Sequence, residues 1–329
     1  DWFGHPVINI FWHILCLPVM LAANRCNCVY LPAGNRRLAW WYGVPSIGTV
    51  HDLSQLHVEG KYDPFRMFYC KKVLPFLIRR LDRVIAVSEA TRIDLEQHAD
   101  VDHERIDVVY NGADLDQFSH DNKALAKQRV WRKYDITQPY ILYTARLEHP
   151  GKNHVRLLEA FAALKQRQDI PHHLILAGSP WFGAEAIYAA AQNLGISDSV
   201  IFAGFVPNEE LPDLYAGADL FAFPSLFEGF GIPLLEAMAS GTPVIASNVA
   251  SIPEVVGNAG LLFEPTQTKD IQYAILRMTS DDYLRESLVR QGLQQSQRFS
   301  WDDSAKRVWE TCHGAVNKKT LSEPCQSTE

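Results

Sequence analysis

The sequence lacks an excess of positive charge. Its 329 residues include 31 Lys and Arg against 38 Asp and Glu, so the formal net charge is −7. Proteins that bind nucleic acids need a basic surface to bind the phosphates, so this balance argues against nucleic acid as a partner. A local basic patch could still bind a phosphate group or an acidic lipid.

A long apolar run and a zinc-binding pattern are also absent. The most apolar stretch, 7–23, is short and includes a proline and two polar residues, so it does not satisfy the requirements of a spanning helix. No basic segment precedes it, as one would in a signal peptide. We interpret it as a buried or interfacial helix of a cytoplasmic protein, which could contact the inner face of a membrane peripherally. Cys26 and Cys28 are too close together for the usual zinc spacing.

No glycine-rich turn of the dinucleotide-binding type opens a helix with an acidic residue about 20 positions later, which argues against a dehydrogenase. No such turn follows a first strand at the amino end either. The sequence begins with Asp1 and Trp2 inside what resembles a loop. We therefore expect the first strands of the amino-terminal domain to be missing.

Short apolar runs bounded by Pro and Gly predict ten buried strands. They are at 28–31, 45–50, 83–87, 106–110, 140–145, 173–177, 200–203, 220–223, 243–246 and 260–263. Helical segments or loops separate them, which is typical of an α/β protein with parallel, doubly wound sheets. We expect two Rossmann-like domains, 1–118 (incomplete) and 119–298, then a closing helix at 299–317 and a disordered tail at 318–329.

The segment 219–241 has the pattern of a phosphate-binding turn. A strand leads into a loop with Gly229 and Gly231, and a helix opens near Pro233. Proline is favoured in a first helical turn, and the glycines leave backbone N–H groups uncovered at the positive end of the helix. This arrangement suits a diphosphate.

Two carboxylates flank this turn. Glu236 lies about one turn into the helix, and its side chain leans back toward the amino end, where it can reach a ribose diol. Glu228 precedes the turn, on the side where a sugar attached to the diphosphate would lie. The alternative is that Glu236 is a surface residue of the helix and Glu228 an ordinary loop residue.

The segment 225–247, Ser-Leu-Phe-Glu-Gly-Phe-Gly-Ile-Pro-Leu-Leu-Glu-Ala-Met-Ala-Ser-Gly-Thr-Pro-Val-Ile-Ala-Ser, resembles the signature of glycosyltransferase family 4. The resemblance extends from about Val29 to Trp301. It implies the GT-B fold, with two domains that face a cleft and a final segment, 299–317, that crosses back to the first domain. It also implies an enzyme that binds the acceptor with its first domain and the nucleotide sugar with its second.

The implied reaction is the retaining transfer of a hexose from a nucleotide-diphosphate sugar, of the GDP-mannose or UDP-glucose type, to a hydroxyl of a glycan or lipid-linked acceptor. A bacterial mannosyl- or glucosyltransferase of polysaccharide biosynthesis fits this pattern. Within the signature, the resemblance assigns Glu228 to the donor sugar and Glu236 to the ribose. The amides of Phe230, Gly231 and Ile232 would face the distal phosphate.

Arg146 and Lys152 follow the strand at 140–145, where two cations can neutralise a diphosphate. They resemble the Arg-Leu-x-x-x-Lys pattern of the family, with the lysine one residue later. The alternative is that Arg146 and Lys152 are two solvated residues on the protein surface. Because they supply positive charge, we expect no metal and no cofactor at the site. The resemblance also places the nucleobase near Phe205 and Val206.

His51 follows the strand at 45–50 and is similar to the histidine with which the family contacts the donor sugar. The alternative is a structural histidine bonded to Asp52. The loop at 34–37 could contact an acceptor, although a solvated loop is at least as consistent with its composition. His57 and His98 have no comparable context, and we assign them structural roles.

For this family the resemblance implies attack on the front face of the sugar, with the departing phosphate helping to deprotonate the acceptor. Glu228 then positions the sugar and is not a nucleophile. Two other functions fit the sequence: a sugar-nucleotide-binding fragment without transfer activity, and a sugar-nucleotide 2-epimerase.

Overall fold

The computed structural model describes residues 12–34, 38–58, 67–119 and 123–322. The chain divides into two units. The first consists of Asp1–Asn111 together with Asp302–Glu329, and the second of Gly112–Trp301.

The first unit contains a four-stranded parallel sheet. Its strands, in the spatial order β1-β2-β3-β4, are β1 (Val29–Leu31), β2 (Ser46–Val50), β3 (Arg83–Ala86) and β4 (Ile106–Val108). All five residues of β2 are buried. The prediction of these four strands is confirmed, and β2 is covered on both faces as a central parallel strand is.

The described residues of the first unit before Asn111 include the helices α1 (Leu17–Ala23), α2 (Leu74–Ile78) and α3 (Glu89–Ala99). α1 buries Pro18 and Leu21 but exposes Val19 and Met20, so this helix of the apolar stretch is only partly covered. Residues 1–11, which include the beginning of that stretch, lie outside the described residues. α3 begins after Ser88, whose Oγ accepts a hydrogen bond from the Thr91 N–H at 3.0 Å, as the predicted serine cap requires.

The second unit contains a six-stranded parallel sheet. Its strands are β5 (Tyr140–Thr144), β6 (His173–Ala177), β7 (Val200–Gly204), β8 (Leu220–Phe223), β9 (Val244–Ser247) and β10 (Gly260–Phe263). Their spatial order is β10-β9-β8-β5-β6-β7, which is the Rossmann order. The chain order reverses between β5 and β8, which are hydrogen-bonded neighbours. The predictions of six strands and of a doubly wound sheet are confirmed.

In the described part of the second unit, one helix precedes β5 and seven helices connect the strands or follow them. They are α4 (Lys123–Tyr134), α5 (His154–Gln166), α6 (Ala184–Asn193), α7 (Leu211–Gly217), α8 (Ile232–Ala239), α9 (Ile252–Val256), α10 (Thr268–Ser280) and α11 (Asp282–Ser296). The core between helices and sheet includes three fully buried tyrosines, Tyr140, Tyr143 and Tyr215. Each tyrosine hydroxyl has a hydrogen-bonding partner, as a buried polar group requires.

The last helix, α12 (Trp301–Ser322), belongs to the first unit from Asp302 onward. The Thr311 hydroxyl on this helix donates to Asp107 Oδ2 on β4 at 3.0 Å. The helix ends at Ser322, and the disordered tail expected from residue 318 stays a prediction. Residues 323–329 lie outside the described residues.

Across the ranges that the structure describes, no helix combines the length and the apolar character that a membrane span requires.

Candidate functional site

The predicted phosphate-binding turn lies at the carboxyl edge of the six-stranded sheet. The loop 145–153 follows β5 and carries Arg146 and Lys152, and the loop 224–231 follows β8 and carries Glu228. Since β5 and β8 are neighbours, both loops leave the sheet at the point where the strand order reverses. In open α/β sheets, ligands bind in the crevice outside this point.

Direct hydrogen bonds join the two loops. The Leu226 N–H donates to the carbonyl of Gly151 at 3.0 Å. Asn153, buried at the start of α5, donates through Nδ2 to the carbonyls of Pro224 at 2.9 Å and Pro265 at 2.8 Å. The loops after β5, β8 and β10 are therefore held together by one side chain.

Two further buried hydroxyl groups fix the backbone beside the charged residues. The Tyr143 hydroxyl donates to the Lys152 carbonyl at 2.8 Å. Ser251 Oγ lies 2.8 Å from the Glu228 carbonyl and 3.0 Å from the Phe230 carbonyl, between two acceptors of the same loop. Tyr143 and Ser251, which lie outside the signature segment 225–247, thus position the backbone that carries Lys152 and Glu228.

The amino end of α8 has the geometry that the glycine and proline pattern predicts. Gly231 precedes the helix with φ of 105°, and Pro233 lies in the first turn. A Cβ at Gly231 would lie 2.9 Å from Leu234 Cδ1, so both the conformation and the space favour glycine. Backbone N–H groups in a first helical turn have no intrahelical acceptor, which makes this end a suitable position for an anion.

Glu228 and Lys152 form an ion pair across the two loops. Lys152 Nζ donates to Glu228 Oε1 at 2.7 Å, and the side chains are only 21% and 15% exposed, respectively. A charge-assisted hydrogen bond of this length is strong, and partial burial strengthens the attraction. The structure therefore brings one predicted cation and one predicted carboxylate into contact.

Glu236 is anchored through one of its two oxygens. The Tyr215 hydroxyl donates to Glu236 Oε2 at 2.7 Å, and Tyr215 in turn lies 2.6 Å from Thr144 Oγ1. Because the single tyrosine proton points to the carboxylate, Thr144 at the end of β5 must donate to Tyr215. Burial raises the pKa of the Glu236 carboxyl, and the hydrogen bond from Tyr215 opposes that rise. Among the described residues, only Tyr215 is bonded to the Glu236 carboxylate, so Oε1 is available to a ligand.

Arg146 lies between a carboxylate and an aromatic ring. Its guanidinium donates to Glu148 at 3.0 Å and stacks over Trp181, 4.9 Å from the ring centroid. Trp181 belongs to the loop after β6, which pairs with the loop after β5: the Leu147 N–H donates to the Ser179 carbonyl at 3.0 Å. This pairing continues the sheet beyond its strands and brings the ring to the guanidinium.

His154, the first residue of α5, is fully buried beside these groups. Its ring lies 4.7 Å from that of Tyr143. Burial and the nearby charge of Lys152 lower the pKa of His154 to about 3. The imidazole is therefore neutral at physiological pH and adds no positive charge to the loop.

The remaining predicted residues belong to other segments of the chain. Phe205, after β7, is 75% exposed, whereas Val206 beside it is buried. His51 lies at the carboxyl end of β2 in the first unit, and its Nε2 bonds to the Pro32 carbonyl at 2.7 Å. Asp52, the alternative partner, accepts from the Ser54 hydroxyl at 2.7 Å instead. In the predicted acceptor loop, residues 35–37 lie outside the described residues.

The residues that hold the site together are not among those predicted from the sequence: Tyr143, Thr144, Asn153, Trp181, Tyr215 and Ser251. The sequence contains a signal for Tyr143 and Thr144 only. Their hydroxyl groups end an apolar strand, which indicates hydrogen bonds at the carboxyl edge of the sheet. The other contacts join residues far apart in the chain, and no local pattern reveals them.

A cavity of about 450 Å³ lies at the opposite edge of the same sheet, lined by Lys123, Asp219 and Arg285 among others. Asp219 immediately precedes β8 and pairs with Lys127 at 3.1 Å. The cavity therefore opens at the amino ends of the strands, away from the edge at which ligands bind in this type of sheet.

Residues 127–295 match the family model described as glycosyl transferases group 1, which covers more than half of the chain. The chain belongs to this family. Residues 2–117 match a second model, glycosyltransferase family 4. The group 1 match contains all the residues of the cluster at the carboxyl edge of β5 and β8.

Among curated relatives, O-antigen chain mannosyltransferase B of Escherichia coli is 32% identical over 259 residues, which are 78% of this chain and 67% of the relative. The serotype-specific mannosyltransferase WbdA of Escherichia coli is 33% identical over 260 residues, which are 78% of this chain but only 32% of WbdA. The chain thus spans about a third of that longer relative. These similarities identify the chain as a glycosyltransferase.

Among solved structures, Anabaena HepE in complex with UDP-glucose aligns with a TM-score of 0.75 and 24% identity, over 90% of this chain and 81% of HepE. This similarity, together with two parallel-sheet α/β units of four and six strands, confirms the predicted GT-B fold.

Proposed function

We propose that this glycosyltransferase moves a hexose from a nucleotide-diphosphate sugar to a hydroxyl of a glycan or lipid-linked acceptor, with retention of the anomeric configuration. The observation that carries the proposal is the arrangement of Glu228 and Glu236 on either side of the amino end of α8, each held by a different partner. GDP-mannose is the first donor that we propose, because the names of the Escherichia coli relatives describe mannosyltransferases. UDP-glucose is the second.

Donor binding is assigned to the second unit. The amides of Phe230, Gly231 and Ile232 at the amino end of α8 would bind the distal phosphate. Glu236 would accept hydrogen bonds from the ribose hydroxyls through Oε1, since Oε2 is bonded to Tyr215. The backbone near Phe205, which is exposed at the same edge of the sheet, would meet the nucleobase.

Catalysis is assigned to the charged groups of the two loops. The bond between the anomeric carbon and the diphosphate oxygen breaks, and a bond to the acceptor oxygen forms on the same face of the sugar. The acceptor proton passes to the departing phosphate. Arg146 and Lys152 stabilise the negative charge of the leaving group, so the proposed reaction needs no metal or cofactor. Glu228, released in part from Lys152 when the diphosphate binds, positions the sugar hydroxyls.

His51 is proposed as a further contact to the donor sugar, a role that rests on the sequence resemblance. The structure supports this only through its location at the carboxyl end of β2, the edge at which open α/β sheets bind ligands. Its Nε2 bond to the Pro32 carbonyl leaves Nδ1 as the nitrogen that could bind a substrate hydroxyl.

The test is transfer from GDP-mannose and from UDP-glucose to a panel of glycan acceptors, followed by analysis of the anomeric configuration of the product. Glu228→Ala should reduce turnover more strongly than Glu236→Ala, which should mainly weaken donor binding. Donor binding without turnover would favour the binding-fragment alternative. Formation of an epimeric sugar nucleotide in the absence of acceptor would favour the 2-epimerase. Wild-type kinetics in both variants would refute the site.

We also propose that the protein works in the cytoplasm, in peripheral contact with the membrane that carries a lipid-linked acceptor. The helical segment 12–23 supports this contact, because Leu15 and Val19, one turn apart, are both more than half exposed. Flotation with phospholipid vesicles measures the contact, and we expect the double variant Leu15→Ser, Val19→Ser to float less than the unchanged protein.

A further inference from the structure

The first unit contains a cluster of two histidines and one aspartate that have no part in the proposed transfer reaction. His57 follows the short 3₁₀ turn Ser54–Leu56 in the segment after β2. Asp94 and His98 are both on α3, four residues apart, and so lie on the same side of the helix. Asp94 is buried, whereas His57 and His98 are at the surface.

The ligand atoms of these three side chains are close together. His57 Nε2 lies 2.9 Å from Asp94 Oδ2, and the rings of His57 and His98 have centroids 5.5 Å apart. One ligand atom from each residue can be chosen so that all lie within 4.8 Å of one another. Around a tetrahedral zinc ion, with bonds of about 2.0–2.1 Å, neighbouring ligand atoms are about 3.3 Å apart. The His57–Asp94 pair already has nearly this separation, and the exposed His98 side chain can rotate toward it.

Two imidazoles and one carboxylate select for a particular class of ion. Imidazole nitrogen binds Zn²⁺, Ni²⁺, Cu²⁺ and Co²⁺ well, whereas Mg²⁺ and Ca²⁺ prefer sites made of oxygen atoms. The buried carboxylate supplies the negative charge that partly neutralises a divalent ion. Three protein ligands leave a fourth position for water.

We propose that His57, Asp94 and His98 form a binding site for a divalent transition-metal ion, with Zn²⁺ as the expected ion. The site is separate from the proposed transfer reaction. Because one ligand lies after β2 and two lie on α3, the bound ion would tie the segment 51–57 to that helix. That segment begins with His51, so metal binding would also stabilise the loop in which His51 lies.

The test is a titration of the full chain, freed of metal with a chelator, by Zn²⁺ in isothermal calorimetry and by Co²⁺ in visible absorption. We expect one tight equivalent of Zn²⁺ and a Co²⁺ spectrum with nitrogen and oxygen ligands. Changes in outer-shell partners of metal ligands already cost about 10–100-fold in affinity, so loss of a direct ligand in His98→Ala should weaken binding at least about 100-fold. His98 is exposed, so this variant should fold normally, and its far-ultraviolet circular dichroism would verify that.

A matched control is available on the same unit. His103 Nδ1 lies 2.7 Å from Glu96 Oε1, a second histidine–carboxylate pair, but Arg92 also bonds to this carboxylate and places a positive charge beside it. His103→Ala should therefore leave the tight equivalent unchanged. Zn²⁺ should raise the melting temperature of the wild type and of His103→Ala but not of His98→Ala. If His98→Ala retains the stoichiometry and affinity of the wild type, or if the wild type binds Zn²⁺ no more tightly than a surface histidine pair, the cluster is only a hydrogen-bonded network.

Discussion

Replacement of Tyr215 by phenylalanine removes the hydroxyl that anchors Glu236. In the wild type this hydroxyl donates to Glu236 Oε2 at 2.7 Å and accepts from Thr144. Tyr215→Phe retains the ring that fills the core but leaves the carboxylate without its donor. If Glu236 binds the ribose through its other oxygen, the variant should bind the donor more weakly although it retains every proposed ligand contact.

The size of the effect follows from the hydrogen bond. A bond to a charged group contributes about 1.5–3 kcal/mol. Part of this energy orients Glu236 and part stabilises the fold, so we expect the donor dissociation constant to rise about tenfold, which corresponds to about 1.4 kcal/mol. The maximal turnover should change less than the KM for the donor, because the ribose lies away from the bond that breaks.

The pH dependence should change in the same variant. Burial already raises the pKa of Glu236, and the Tyr215 hydrogen bond opposes this, so its removal should raise the pKa further. An ionised carboxylate accepts stronger hydrogen bonds from the ribose hydroxyls than a protonated carboxyl does, so donor binding weakens as the pH falls through this pKa. In Tyr215→Phe, that decline should therefore begin at a higher pH than in the wild type.

The assay is calorimetric titration with GDP-mannose, or with GDP, between pH 5 and 8. Tyr140→Phe is a matched control, because Tyr140 is equally buried in the same unit and its hydroxyl donates only to the Leu214 carbonyl, at 2.8 Å. It lies at the amino end of β5, opposite the site. Equal donor affinities and superimposable pH profiles in the two variants would show that Tyr215 does not act through Glu236.

Three further predictions concern the same unit. Lys152→Ala should lower kcat on the order of 100-fold, as loss of a transition-state donor does, with partial recovery in Lys152→Arg; a change in KM alone would contradict its role at the leaving group. Gly231→Ala should lower the free energy of unfolding in urea by about 1–3 kcal/mol, whereas Gly314→Ala, at an open position, should not. Equal free energies of unfolding in the two variants would refute backbone strain at position 231. In the unfolded chain His154 takes up a proton near pH 6.5, whereas in the folded protein it does so only near pH 3. The free energy of unfolding should therefore fall by roughly 3–5 kcal/mol as the pH decreases between these values. His154→Gln should flatten this part of the stability profile, and an unchanged slope would show that the residue is not buried in its neutral form.

Three of the strands that the sequence predicted correctly, β2, β5 and β8, are buried on both faces. Strands in this position are mostly apolar whatever surrounds them, so the pattern is visible without knowledge of the fold. The turn before α8 was predictable for a related reason. A positive φ at Gly231 and a proline in the first helical turn are local requirements that restrict residue types directly.

The contacts that position the site could not be predicted in this way, because each joins residues distant in the sequence. Tyr215 reaches Glu236 only because α7 and α8 pack on the same region of the sheet, and Asn153 reaches Pro265 across 112 positions. In the sequence, tyrosine within an apolar helix is typical of core packing, and asparagine before a helix is typical of a cap.

The same limit explains His57 and His98. The sequence separates these residues by 41 positions, so neither has a metal-binding spacing with the other, and the i, i+4 pair Asp94 and His98 is too common on helix surfaces to indicate a site. Only the fold shows that the turn after β2 lies against α3 and supplies the third ligand atom. Local patterns therefore identify the residues that meet a conformational requirement of their own, such as Gly231. Residues whose role depends on a partner become visible only when the topology places that partner beside them.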